Sequence, residues 1–220
     1  MGQDPPSSNP DQERALTIEL VGLFLVLPAT LAVLRHLGLP LPIVPVRVVG
    51  MGARWRGLRR LARKEMAIWT RAEVPVPERW RMLVLFSLGA SAMLGFVLWF
   101  LPDHLFDLPR RRPLEWGLVV LLYPFLSVLP QELFFRCFFF FRYGRLFRSR
   151  ALRIVASGLL FGFAHVLYGN WIAVGFSALG GMLFAWTYTR TRSLWWVTIE
   201  HALYGMTLLT VGLGRYFSPG

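Results

Sequence analysis

Glu132, His165 and His201 are side chains of the kinds that move protons and activate water, and in this sequence each stands inside a long apolar run. An ionisable group at membrane depth costs at least about 2.5 kcal/mol even on the lenient insertion scale, so each needs a partner or a purpose. Their surroundings are Pro130-Gln131-Glu132-Leu133-Phe134-Phe135-Arg136, Phe161-Gly162-Phe163-Ala164-His165 and Glu200-His201-Ala202-Leu203-Tyr204-Gly205. Glu132 and Arg136 are four residues apart, on one helical face, where they neutralise each other; taken alone that is a structural ion pair. A single intramembrane histidine is often an interhelical hydrogen-bond partner. Two imidazoles and a carboxylate on separate segments can do more. They can activate water by general-base catalysis with charge stabilisation, or they can form a catalytic zinc set. The residue types leave both open. Glu200, beside His201, is a second candidate for the base.

These groups must be positioned by membrane helices. Of the 220 residues, 55% are hydrophobic and 16% charged, and the mean hydropathy is +0.49, outside the range of soluble domains. The fold class expected is an all-α polytopic bundle of about six transmembrane helices plus one basic interfacial amphipathic helix. Apolar stretches able to cross a core of about 30 Å run from Ala15 to Leu34, Arg81 to Leu101, Leu114 to Phe141, Leu152 to Tyr168, Trp171 to Thr189 and Leu194 to Leu213. The net charge of +12 falls mainly between these runs, so it is read as topology, with the bilayer as partner and no nucleic acid. The start of the chain, with Asp4, Asp11 and Glu13 against Arg14, lacks the basic leader of a secretory signal, so the first helix is expected to be retained.

The positive-inside rule puts Arg35 to Trp80, Tyr143 to Arg150 and the turn at Arg190 and Arg192 in the cytoplasm, and the N-terminus, the Gly169-Asn170 turn and the C-terminal tail outside. Trp55, Leu58, Ala62, Met66 and Trp69 recur at helical spacing among arginines, which predicts the interfacial helix. Small residues at four-residue spacing, Ser87/Ser91/Gly95 and Ser177/Gly181/Ala185, predict close helix contacts. Pro124 and Pro130 predict a disturbed third span opening a wet pocket at Gln131 and Glu132. Cys137, the one cysteine, excludes a disulfide and is read as packing within a Phe-rich run.

Gln131-Glu132-x-x-x-Arg136, then Phe161-x-x-x-His165, then His201-x-x-x-Gly205, in this order on separate spans, resembles the CPBP family of intramembrane proteases. That family includes the CAAX prenyl endopeptidases and bacteriocin-processing or immunity proteins. The resemblance covers about Pro113 to Leu213 and implies two parts: 1–112, N-terminal helices with the basic segment, and 113–213, a CAAX-protease-like membrane domain.

The resemblance implies an endopeptidase that cleaves a membrane-associated protein or peptide, with or without a lipid, and Glu132, His165, His201, Gln131, Arg136 and Glu200 as site residues. Zinc, if bound, would take Glu132, His165 and His201. Two positions depart from the family pattern: Gln131 replaces the first glutamate, and an amide cannot take a proton from water; Gly205 replaces the late asparagine, for which Tyr204 or Asn170 are candidate substitutes. Glu132 or Glu200 then serves as base, or the chain is an inactive relative that acts as a membrane binding or immunity protein. A small transporter is the third class, for which paired broken-helix repeats are missing. The arginine-rich, lysine-poor composition points to a bacterial inner membrane.

Overall fold

A computed structural model describes residues 10–39 and 73–217. Among them are six long helices and no strand: α1 Pro10–His36, α2 Val76–Phe100, α3 Pro113–Leu146, α4 Arg150–Tyr168, α5 Trp171–Thr191 and α6 Leu194–Val211. The expected interfacial helix at 54–69 lies outside the described residues.

The helices begin and end where local chemistry demands it. Pro113 opens the first turn of α3, where its missing N–H costs nothing. Ser149, Asn170 and Ser193 cap α4, α5 and α6 by accepting from the backbone N–H of Leu152, Ala173 and Trp196. α6 stops at Gly212, φ +112°, where a side chain would run into the His104 carbonyl.

Five of the six helices are long and apolar enough to cross a membrane; α6 falls short of that apolarity. Its 18 residues include Glu200 and His201 at mid-length, and it packs against α2, α3 and α5, leaving Trp195 and Ile199 exposed. In α2 the reverse holds, with Leu83, Val84, Leu88, Leu98 and Trp99 all exposed. α3 is irregular, as its prolines predict: it widens into π turns at Pro124–Val128 and Leu133–Phe138. Phe24 of α1 packs against Phe134, Phe135, Phe139 and Tyr143 of α3, which seats the first helix on the bundle.

The direction of α1 differs from the charge-based expectation. Glu19 pairs with Arg142 at 2.8 Å and Gln12 accepts from Arg145, so the N-terminal end of α1 lies at the end of the bundle holding the 143–150 turn. Arg35 lies at the other end, donating to the Leu167 carbonyl at 2.8 Å. Near the start of α2, Glu78 accepts from Arg190 at 2.7 Å. Arg35 and Arg79, assigned by the sequence to one cytoplasmic loop, therefore sit at opposite ends of the bundle, and α1 and α2 run in the same direction. Glu19 of α1 follows its arginine partner on α3, an attraction that counting basic residues loop by loop does not contain.

α4 and α5 make the closest helix contact. A Cβ on Gly158 would lie 2.7 Å from the Met182 backbone nitrogen, one on Gly162 2.8 Å from the Ala178 Cα, and one on Gly181 3.0 Å from the Gly158 Cα. Gly181 thus sits in the contact expected of it, whereas Ser87, Ser91 and Gly95 of α2 are exposed. We expect Gly158→Leu to overpack this crossing and destabilise the protein by about 3 kcal/mol. Gly175→Leu on the same helix pair, with nothing within 4 Å of the new Cβ, should be neutral. Unfolding titrations of the two variants in mixed micelles measure the difference.

Candidate active site

The site is assembled from α3, α4 and α6, with α5 closing one wall. Glu132 is completely buried on α3, and its carboxylate bridges two partners. Oε1 accepts from His201 Nδ1 at 2.8 Å, and Oε2 lies 3.0 Å from Arg136 Nε. The carboxylate thus has an imidazole on one oxygen and a guanidinium within ion-pair distance of the other.

Arg136 is also completely buried. Its Nη1 donates to Ser157 Oγ at 3.1 Å, and that hydroxyl donates to the Phe135 carbonyl at 3.0 Å. The guanidinium centre lies 5.2 Å from the Phe161 ring and 6.0 Å from the Phe184 ring, where cation–π attraction replaces part of the lost hydration.

His201 is held on three sides. Its ring stacks on Phe184 at 4.5 Å and 19°, and meets Phe161 and Tyr123 edge to face at 5.4 and 6.5 Å. Because the Nδ1–H is engaged by Glu132, the neutral ring carries its lone pair on Nε2. His165 sits in the last turn of α4, which tightens to 3-10 geometry over Ala164–Tyr168. Its Nδ1–H donates to the Phe161 carbonyl at 2.8 Å, so the same tautomer is selected there. The donation from Arg35 to Leu167 steadies this turn from α1.

Both imidazoles line one cavity of about 650 Å³. Tyr123, Gln131 and Gly205 also line it, and most of the remaining wall is aromatic or aliphatic. Gln131 turns its amide nitrogen back along α3, donating to the Ser127 carbonyl at 3.0 Å and the Ser127 hydroxyl at 2.9 Å. Glu132 and Arg136 lie behind His201, off the cavity wall.

Glu200 does not join this group. Its carboxylate is buried, off the cavity wall, and faces the Thr187 hydroxyl. It lies within electrostatic range of Arg81, Glu132 and Arg136. One step along a helix turns a side chain by about 100°, so adjacency to His201 in sequence sends Glu200 to a different face.

The zinc reading is not supported by the geometry. Among the described residues no three His, Cys, Asp or Glu side chains come together as metal ligands. The Glu132 carboxylate is taken by an imidazole and a guanidinium, and a divalent ion beside the buried Arg136 would meet like charge. Asn170 is likewise committed elsewhere, capping α5 and donating to the Tyr216 carbonyl at 2.8 Å. Tyr204 lines the cavity but packs its ring on Gly89 and Phe86 of α2.

Arg35, Tyr123, Ser157 and Phe184 were not picked out from the sequence. Arg35 and Ser157 are polar groups in or beside apolar runs, which is a weak signal; nothing local separates Tyr123 or Phe184 from other membrane aromatics. A second ionic group, Glu78 with Arg81 at 2.7 Å and with Arg190, closes the bundle at the end of the 190–192 turn, with Arg81 lying over Trp186 at 4.0 Å.

Residues 113–207 match the family described as type II CAAX prenyl endopeptidase Rce1-like. The match takes in the site residues of α3 to α6 and agrees with the motif resemblance. No curated protein and no solved structure matches the chain.

Proposed function

We infer, from the match of residues 113–207 to the family described as type II CAAX prenyl endopeptidase Rce1-like, that this integral membrane protein is an endopeptidase that hydrolyses a peptide bond of a membrane-associated protein. The observation that carries the finer mechanism is the 2.8 Å contact of Glu132 Oε1 with His201 Nδ1, on a ring that lines an apolar cavity. His201 Nε2 takes a proton from water as the oxygen attacks the scissile carbonyl carbon. The resulting imidazolium faces the Glu132 carboxylate, which offsets its charge as it forms. The same proton then passes to the leaving nitrogen, the C–N bond breaks, and the imidazole is neutral again. Glu132 is thus a positioning and charge-compensating group, with Arg136 holding it. The Nδ1–H of His165 is committed to a carbonyl, so its Nε2 is an acceptor suited to orienting the attacking water.

Gln131 has no part in proton transfer under this scheme, and the glutamine at that position is compatible with turnover. The apolar wall suits a substrate bearing a lipid, and the bacterial plasma membrane as its location belongs to the same proposal. A second reading, a binding protein without turnover, is favoured by the Gln131 amide being tied to Ser127.

The test is cleavage of a fluorogenic farnesylated CAAX peptide by the purified protein in bilayer nanodiscs. The expected result is hydrolysis that survives exhaustive chelation and is lost in His165→Ala. A parent protein that binds the peptide and never cleaves it would select the second reading, and loss of activity on chelation with recovery on adding zinc would overturn the metal-free scheme.

A further inference from the structure

His165 is covered in part by a segment outside the six long helices. Its ring meets Phe161 and Tyr168 of its own helix at 4.8 and 5.7 Å between centroids, and it meets Phe217, which follows α6, at 6.1 Å and 72°. Phe217 also packs on Tyr168 at 5.6 Å and lines the cavity. It ends a 3-10 turn, Leu213–Phe217, that lies over the end of the bundle holding the Gly169-Asn170 turn.

The two ends of this turn are held differently. Leu213 is buried beside Val97, Leu208 and Val211, whereas Tyr216 and Phe217 are only partly buried against the same cluster. Asn170 Nδ2 donates to the Tyr216 carbonyl at 2.8 Å, and the exposed Arg215 donates to His104 at 2.5 Å. The cavity also reaches the lipid-facing surface, since Ala92 of α2 and Leu179 of α5 line it and are exposed within their spans. A lipid-bearing molecule has an entrance there, while a water-borne one arriving at the bundle end meets Phe217 first.

We propose that the Leu213–Phe217 turn is a lid on the His165 end of the cavity, that Phe217 is the residue that shuts it, and that the closed lid selects lipid-bearing peptides over water-borne ones. The selection rests on the peptidase reading above; the lid itself can be tested without turnover. Leu213 stays packed as the anchor, and opening gives up the Phe217 ring contacts and the two hydrogen bonds at Arg215 and Tyr216. Single hydrogen bonds contribute little net stability, so residues 215–217 can leave without disturbing the six helices. A lid open less than about 10% of the time weakens the apparent affinity of anything that must pass it by about tenfold or more.

The experiment treats the full chain in nanodiscs with diethyl pyrocarbonate added from water. Carbethoxylation of His165 is followed by peptide mass mapping, with the exposed His36 as internal reference. Phe217→Ala should speed modification of His165 about tenfold relative to His36, and Phe217→Trp, which keeps the cover, should match the parent. Arg215→Ala, outside the cavity, cuts one tether and should speed it about threefold, the weight of one hydrogen bond; it decides the matter if Phe217→Ala fails to fold. In the cleavage assay, the preference of Phe217→Ala for the farnesylated peptide over the same peptide without its lipid should fall about tenfold. His165 modified at the parent's rate in both Phe217→Ala and Arg215→Ala would overturn the lid and leave the peptidase reading intact. Faster modification with an unchanged substrate preference would overturn the lid's part in selection. Faster modification in a protein that cleaves neither peptide would uphold the lid and overturn the peptidase reading.

Discussion

Purified His201→Ala should cleave the peptide at least about 10³-fold more slowly than the parent, with binding of the uncleaved peptide little changed. The size of the effect follows from what the ring does at once. It lines the cavity and contacts Glu132 at 2.8 Å, and under the proposed mechanism it would take the proton through Nε2 while Glu132 offsets the developing charge. His201→Gln keeps a polar group of similar reach but no base, and it should be as inactive as alanine. An active His201→Gln would remove the imidazole from the mechanism and leave Glu132, now exposed to the cavity by the smaller neighbour, as the group to examine. Rates from single-turnover measurements in nanodiscs separate this chemical effect from slow release of a lipid-bearing product.

Glu132→Leu should cost the most stability of any change at the site, about 3–5 kcal/mol, because it leaves the completely buried Arg136 charge without its carboxylate. Activity should vanish with it, since His201 loses the acceptor that sets its tautomer. The double variant Glu132→Leu/Arg136→Met separates the two roles. With both charges replaced by apolar groups of similar volume, stability should return to within about 1 kcal/mol of the parent, while hydrolysis stays absent. Chemical unfolding in mixed micelles measures the first quantity and the peptide assay the second. A stable single variant would mean that Arg136 is neutralised elsewhere, and an active double variant would exclude Glu132 from catalysis.

The ion pair behaves differently from the surface pairs of this protein for a physical reason. Arg112 and Glu115, 3.2 Å apart and more than half exposed, have water as an alternative partner, so breaking them costs little. Among the described residues, Arg136 meets Glu132, Ser157 and two aromatic rings and no water-facing surface. The serine is part of the same arrangement, donating a hydrogen bond to the Phe135 carbonyl while its oxygen accepts from the guanidinium. Around the π turn of α3 the charges of Glu132 and Arg136 are thus offset mainly by each other, with Ser157 and His201 each supplying one hydrogen bond.

Much of this was determined by sequence alone, wherever the controlling interaction is local. Hydropathy located the membrane helices to within a few residues, because crossing lipid demands unbroken backbone pairing and an apolar surface over a known length. The four-residue spacing of Glu132 and Arg136 already put them on one face, and the order of motifs on three helices pointed to the family that the 113–207 match supports.

What only the tertiary structure decided are relations between helices. That Glu132 reaches His201, 69 positions away, while Glu200 beside it faces elsewhere depends on how α6 is rotated in the bundle. The direction of α1 was set by Glu19 meeting Arg142 and by Arg35 meeting Leu167. The absence of a side chain at Gly205 acquired a meaning only when Tyr123 of another helix was seen resting against it. Periodicity along a chain reports which residues share a face of their own helix; which faces then meet is settled by packing all the helices together, and no single segment contains that information.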